Sequence, residues 1–176
     1  MRKSREFSVR QAAQRKMAEE IHVADMVEVM EFYPEDMTVD VKPLVMAVRE
    51  DGFASRPPVL KVPAATLGSG EFFIRPWYRP GDVGVILYLD YDSDNALASG
   101  MESEPLTTGC HSGKDGVFIG GLLCGCSPAE GLPEETVVIG AGENYMAFGK
   151  EGITVRGKLA VDGKLEVDGK TVVPAG

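Results

Sequence analysis

From Ile153 to Val173 the chain alternates residue by residue. Apolar residues or glycine hold almost every odd position. The even positions carry Thr154, Arg156, Lys158, Asp162, Lys164, Glu166, Asp168 and Lys170, with Ala160 and Val172 the exceptions. A period of two is the signature of a β-strand, whose successive side chains point to opposite faces. Over this alternation runs a hexapeptide repeat, GKLAVD (157–162), GKLEVD (163–168) and GKTVVP (169–174). An apolar row must be buried against something. A single-chain hexapeptide β-helix spends roughly 18 residues per coil and needs several coils, and this segment supplies about one. Stacking with identical tails is the solution that buries every inward residue and pairs the strand edges between chains. It predicts a homotrimer whose core is Ile153, Val155, Leu159, Val161, Leu165, Val167 and Val173. Glycine at each repeat start lets the chains approach the axis. The alternative is an ordinary meander with Asp-Gly hairpin turns at 162–163 and 168–169.

The residues ahead of the tail also read as β, with different punctuation. Gly 21 and Pro 11 are both high, as many short strands and turns require. HVADMVEVMEFY (22–33) and TVDVKPLVMAV (38–48) flank the turn PEDM, with Val39 and Val41 on one side and Asp40 and Lys42 on the other. Pro80-Gly81-Asp82 is a turn before the strand VGVILYL (83–89). Residues 90–116 read as loop, and GVFIGGLL (116–123) as a last strand. About five strands in this order fit a small, partly closed Greek-key barrel of OB type, with an immunoglobulin-like sandwich as the structural alternative. The expected organisation is mainly β: an N-terminal helical arm (1–20), an OB-type barrel (21–126), a Pro/Glu-rich linker (127–136) and the triple-stranded β-helix (137–176).

Charge narrows the function. The chain has a formal net charge of -9, which disfavours duplex nucleic acid and anionic membranes as main partners. Residues 1–20 are the exception, with six Lys/Arg against three Glu, and suggest an arm that docks on an acidic partner. There is no run of about 18 apolar residues and no secretory h-region. Cys110, Cys124 and Cys126 make no disulfide framework and lack zinc-finger spacing. Asp90, Asp92, Asp94 and Asn95 resemble half a calcium loop, without its glycine and final glutamate. Phe72, Phe73, Arg75, Trp77, Tyr78 and Arg79 interleave rings with cations, a pattern for stacking single strands but more simply for packing or subunit contacts. No G-x-S-x-G elbow is present, and GAGENY (140–145) lacks the third glycine of a dinucleotide fingerprint. Neither a catalytic residue, a metal site nor a cofactor is expected. A hexapeptide-repeat acyltransferase would need more coils and a histidine in the repeat.

The ordered set VEVMEFYPEDMTVDVKPLV (27–45), PVLKVPAA (58–65), RPGD with VGVILYL (79–89), HSGKDGVFIGG (111–121) and GKEGITVRGKLAVDGKLEVDG (149–169) resembles the central spike of contractile bacteriophage tails. The resemblance spans about residues 22–173. It implies an OB-type domain ahead of an intertwined trimeric β-helix, at the distal tip of the tail baseplate in the virion. It also implies a non-enzymatic role: capping the tail tube, contacting hub and baseplate proteins, and piercing the host's outer envelope when the sheath contracts. Some members end in a His-x-His motif that binds iron at the tip; no histidine follows His111 here. The expected stalk is therefore metal-free, and either blunt or capped by a separate tip protein. A trimeric OB-fold module binding glycan or single-stranded nucleic acid is the alternative function.

Overall fold

The computed structural model describes Phe7, Arg10, Gln11, Ile21 and residues 23–49, 52–69, 71–122 and 131–172. The helical arm expected over 1–20 lies outside them except for Phe7, Arg10 and Gln11, which are helical. The chain is mainly β and divides into two units, Met1–Cys124 and Gly125–Gly176.

The first unit is built on five strands, β1 (Ala24–Tyr33), β2 (Thr38–Pro43), β5 (Val59–Pro63), β8 (Val83–Tyr88) and β9 (Gly116–Leu122). They form one curled antiparallel sheet in the order β5-β2-β1-β8-β9. Its two edge strands meet at a parallel bridge, Ala64 to Phe118, where the Ala65 N–H donates to the Phe118 carbonyl at 2.9 Å. The expected alternation holds in β2: Val39 and Val41 are fully buried, Lys42 is exposed. With Val27, Val29, Val62, Ile86, Tyr88 and Phe118 they make the core. Alternation breaks in β1 at a bulge between Val29 and Glu31. The extra residue, Met30, turns Phe32 toward the core after Val27 and Val29 have faced it. A second bulge sets Lys61 at φ 56°, with its N–H donating to Asp40 Oδ1 at 2.8 Å.

Ring packing closes one end of the sheet. Tyr78 lies edge-on to Phe118 (5.1 Å between centroids) and to Phe32 (5.4 Å). At the Pro-Gly-Asp turn the Arg79 N–H donates to Asp82 Oδ2 at 2.7 Å, and Gly81 adopts φ 95°. Beneath the core, Arg56 makes paired hydrogen bonds to both Asp25 oxygens at 2.5 and 2.6 Å. The Tyr88 hydroxyl donates to Asp25 Oδ2 at 3.0 Å.

Outside the five-stranded sheet stand two short hairpins and a helix, of which the helix departs from the sequence reading. Residues 51–82, dense in Gly and Pro, read as short strands with long connections, and the structure pairs β3 (Ala47–Arg49) with β4 (Gly52–Ala54) and β6 (Leu67–Ser69) with β7 (Phe72–Ile74). Inside the expected loop 90–116 stands a helix, α1 (Asp94–Ser99). An acidic first turn, helix-forming Ala-Leu-Ala, and Gly100 in the left-handed conformation at its end supply the reasons.

The second unit holds a three-stranded antiparallel sheet, β10 (Val137–Ala141), β11 (Asn144–Gly149) and β12 (Gly152–Arg156), and a two-stranded hairpin, β13 (Leu165–Val167) with β14 (Lys170–Val172). Among the described residues the single chain forms no β-helix. The continuous strand expected from Ile153 to Val173 is interrupted after Arg156 and turned at Asp168-Gly169, with φ of 49° and 72°. This is the Asp-Gly turn that two-residue hairpins favour. Repeat-start glycines sit at the breaks, Gly157 at φ 113° and Gly163 at φ 127°.

Gly84 is one of the positions where the first sheet tolerates no side chain. A Cβ there would lie 2.4 Å from the ring of the fully buried Phe118. Gly84→Ala is expected to destabilise the protein by about 1–3 kcal/mol through overpacking, measured by thermal or urea unfolding. A second expectation concerns alkaline pH. Burial, aided by the Asp25 charge, pushes the Tyr88 hydroxyl up to about 12, against about 10 in an unfolded chain. The neutral hydroxyl favours the folded form. Its stabilisation is fully present below about pH 10 and is lost as pH rises through about 12. Tyr88→Phe should make the alkaline fall in stability shallower.

Candidate functional site

In the second unit, cross-strand register lines up apolar side chains. Val137, Phe148 and Ile153 are direct neighbours across β10, β11 and β12, and so are Ile139, Met146 and Val155. Directly opposed residues share a face, so the two rows form one apolar surface. All of these side chains are exposed, from 38% at Met146 and Phe148 to 67% at Val137. The reverse face differs. Ala147 is buried there between Val138 and Thr154, its register partners. Tyr145 lies across Gly140, where an added Cβ would come within 2.6 Å, and the Arg156 guanidinium sits 5.9 Å from the Tyr145 ring.

The tail positions expected at a trimer core divide by element. Ile153 and Val155 lie on β12 within this apolar surface. Leu159 and Val161 lie in the segment between β12 and β13, and Leu165 and Val167 on β13. All are exposed, between 41% and 60%; Val173 lies outside the described residues. Fully burying a side chain of this size is worth about 1.5–3 kcal/mol. A partner covering both rows and the tail would therefore add several kcal/mol per chain. Sequence reasoning missed Val137, Ile139, Met146 and Phe148. Their signal was present in the alternation of TVVIGA and NYMAFG, masked by the glycines on either side.

Other singled-out residues fall elsewhere. Tyr78 packs on the core, while Phe72, Phe73 and Trp77 are exposed by 60% or more. Cys110 is exposed and free; Cys124 and Cys126 lie outside the described residues. His111, at φ 49°, places Nδ1 3.6 Å from Asp90 Oδ1. Carboxylate oxygens of Asp92, Asp94 and Asp115 approach within 4.8 Å of one another, a proximity the sequence did not suggest for Asp115. Asp92 also accepts the Asp94 N–H at 3.3 Å, the turn that opens α1. A cleft of about 960 Å³ opens where Val23, Met46, Val48, Arg56, Leu60 and Tyr88 meet. At its base Arg56 and Asp25 pair with each other.

The two faces of β12 should respond differently to charge. Val155→Lys puts an ammonium in the apolar rows; Thr154→Lys puts it on the reverse face. Where a further copy covers the apolar rows, Val155→Lys is expected to weaken that contact by at least about tenfold, and Thr154→Lys to leave it within about twofold, read by sedimentation. No protein family and no curated protein matches the chain.

Proposed function

We propose that this chain is one subunit of a homotrimeric tail spike. A barrel of OB type leads into a stalk of three intertwined β tails, which caps the tail tube of a contractile injection machine and is driven through the host's outer envelope. One observation carries the reading. The apolar rows of β10–β12, and Leu159, Val161, Leu165 and Val167 beyond them, are exposed in the single chain, while the even positions of the tail are mostly charged. Three copies about a common axis give every such row a partner and leave the charges in water. In that assembly the three-residue strands of the β13–β14 hairpin are exchanged for longer pairing between chains.

The barrel assignment is supported by strand order. In β5-β2-β1-β8-β9, with a parallel bridge between the outer strands, each strand has the neighbours of a five-stranded Greek-key barrel. The role is mechanical rather than catalytic. Interchain strands resist bending because many backbone hydrogen bonds must break together, so a thrust along the axis reaches a narrow tip. The basic arm and the baseplate hub are the proposed attachment, and a separate tip protein the proposed cap.

Light scattering on the full chain at micromolar concentration is expected to give three times the 18.9 kDa chain mass. Val161→Asp and Leu165→Asp each bring like charges together in an apolar interior, at a cost of several kcal/mol. Both should dissociate the trimer, less so near pH 4 where the new acids are partly protonated. Glu166→Lys should stay within about 0.5 kcal/mol of the parent. A monomeric mass, or equal effects of inward and outward changes, rejects the reading.

A further inference from the structure

The dipeptide Asp-Gly stands at 51–52, 115–116, 162–163 and 168–169. It is the pair in which a backbone nitrogen most readily attacks the side chain before it. Attack on an aspartate carboxyl carbon closes an unstrained succinimide ring, and glycine puts no Cβ in the way of the attacking nitrogen. The copies differ in their freedom to reach that geometry. Asp115 is half-buried; its carbonyl accepts the Leu89 N–H at 2.8 Å and its own N–H donates to the Ser112 carbonyl at 3.2 Å. Gly116 is buried in β9 opposite Tyr88. Asp168-Gly169 is held in a turn closed by the pairing of Val167 with Lys170. Asp51 lies outside the described residues. Asp162-Gly163 lacks such restraints. Both residues are exposed, both lie between β12 and β13 outside any strand, and neither makes a hydrogen bond or ion pair among the described residues.

We propose that Asp162-Gly163 is a site of spontaneous backbone modification, where an aspartyl bond becomes an isoaspartyl bond. The Gly163 nitrogen bonds to the Asp162 carboxyl carbon, and its proton leaves with the carboxyl hydroxyl as water. Water then reopens the succinimide. Addition at the side-chain carbonyl restores aspartate. Addition at the main-chain carbonyl breaks the original peptide bond and leaves the chain running through the side-chain carbon. The water lost is returned, and no oxidant or cofactor enters. The product carries one added backbone carbon between residues 162 and 163. Its consequence rests on the trimeric reading above. An added backbone atom puts Leu165 and Val167 out of step with Ile153 and Val155, as a bulge does, so a modified tail no longer matches unmodified ones. Tails paired between chains have their torsions fixed. The modification therefore accumulates on tails left unpaired.

The test is prolonged incubation of the full chain beside Leu165→Asp, the variant expected to dissociate. Peptide mapping separates the aspartyl, isoaspartyl and succinimide forms, the last lighter by one water, and light scattering gives the mass of the same samples. In Leu165→Asp, isoaspartate at 162 should exceed that at 115 by at least about tenfold, because Asp115 must first break local structure. In denaturant the two sites should react alike. Asp162→Glu, whose ring would be one atom larger, should lose the modified peptide. Equal modification of 162 and 115 in folded Leu165→Asp overturns the proposal, whatever the mass of the parent. A trimeric parent protected at 162 beside a modified variant supports the site and its protection by pairing. A trimeric parent modified as fast as the variant overturns that protection. A monomeric parent modified at 162 supports the site and rejects the trimer.

Discussion

The first sheet depends on one ring. Phe118 is fully buried where β9 pairs with β8, and its space exists because Gly84 has no side chain. Its carbonyl accepts the Ala65 N–H, which draws the segment after β5 onto β9 and brings the two edges of the sheet together. Tyr78 then lies edge-on against it, with Phe32 beyond. Closure, core and the covering aromatic set thus share one contact. Gly120 repeats the logic, since a Cβ there would run into the Tyr78 ring at 2.2 Å. Such packing leaves few voids and little tolerance for added volume.

Legibility in the sequence followed the physics of each element. Val39 and Val41 were readable because a half-buried strand alternates, and β1, β2, β8 and β9 fall close to where alternation and turn residues place them. The bulge at Met30 was not readable: an inserted residue shifts the inward set by one, and only the partner strand reveals it. The helix α1 was hidden because six residues give too little period to see. The two short hairpins were legible as short strands among long connections, but not their pairing, because three residues per strand are too few to show which partner each takes.

The tail presents the opposite case. Its period was plain, yet period alone does not choose a partner strand. Within one chain the short-range solution wins: Leu165 faces Val172 across a two-residue turn, and β12 pairs with β11. The same apolar positions that suggested a shared axis remain in water in the single copy. The candidate site was therefore half legible. Ile153, Val155, Leu159, Val161, Leu165 and Val167 were found from the repeat, and the residues of β10 and β11 that extend their surface came only from the register.

The Asp168-Gly169 turn also sets an order of events. A hairpin with so short a loop closes in about 1–10 μs. Two chains at micromolar concentration, associating at about 10⁵–10⁷ M⁻¹ s⁻¹, meet on the order of once per second. Each tail has therefore folded back on itself long before it encounters another. One edge of each of β13 and β14 is paired in the meantime, which leaves only the outer edges open to other strands. In the trimer proposed above, exchanging this hairpin for pairing between chains requires the turn to reopen, so the rate of that exchange would report the hairpin's opening as well as the encounter.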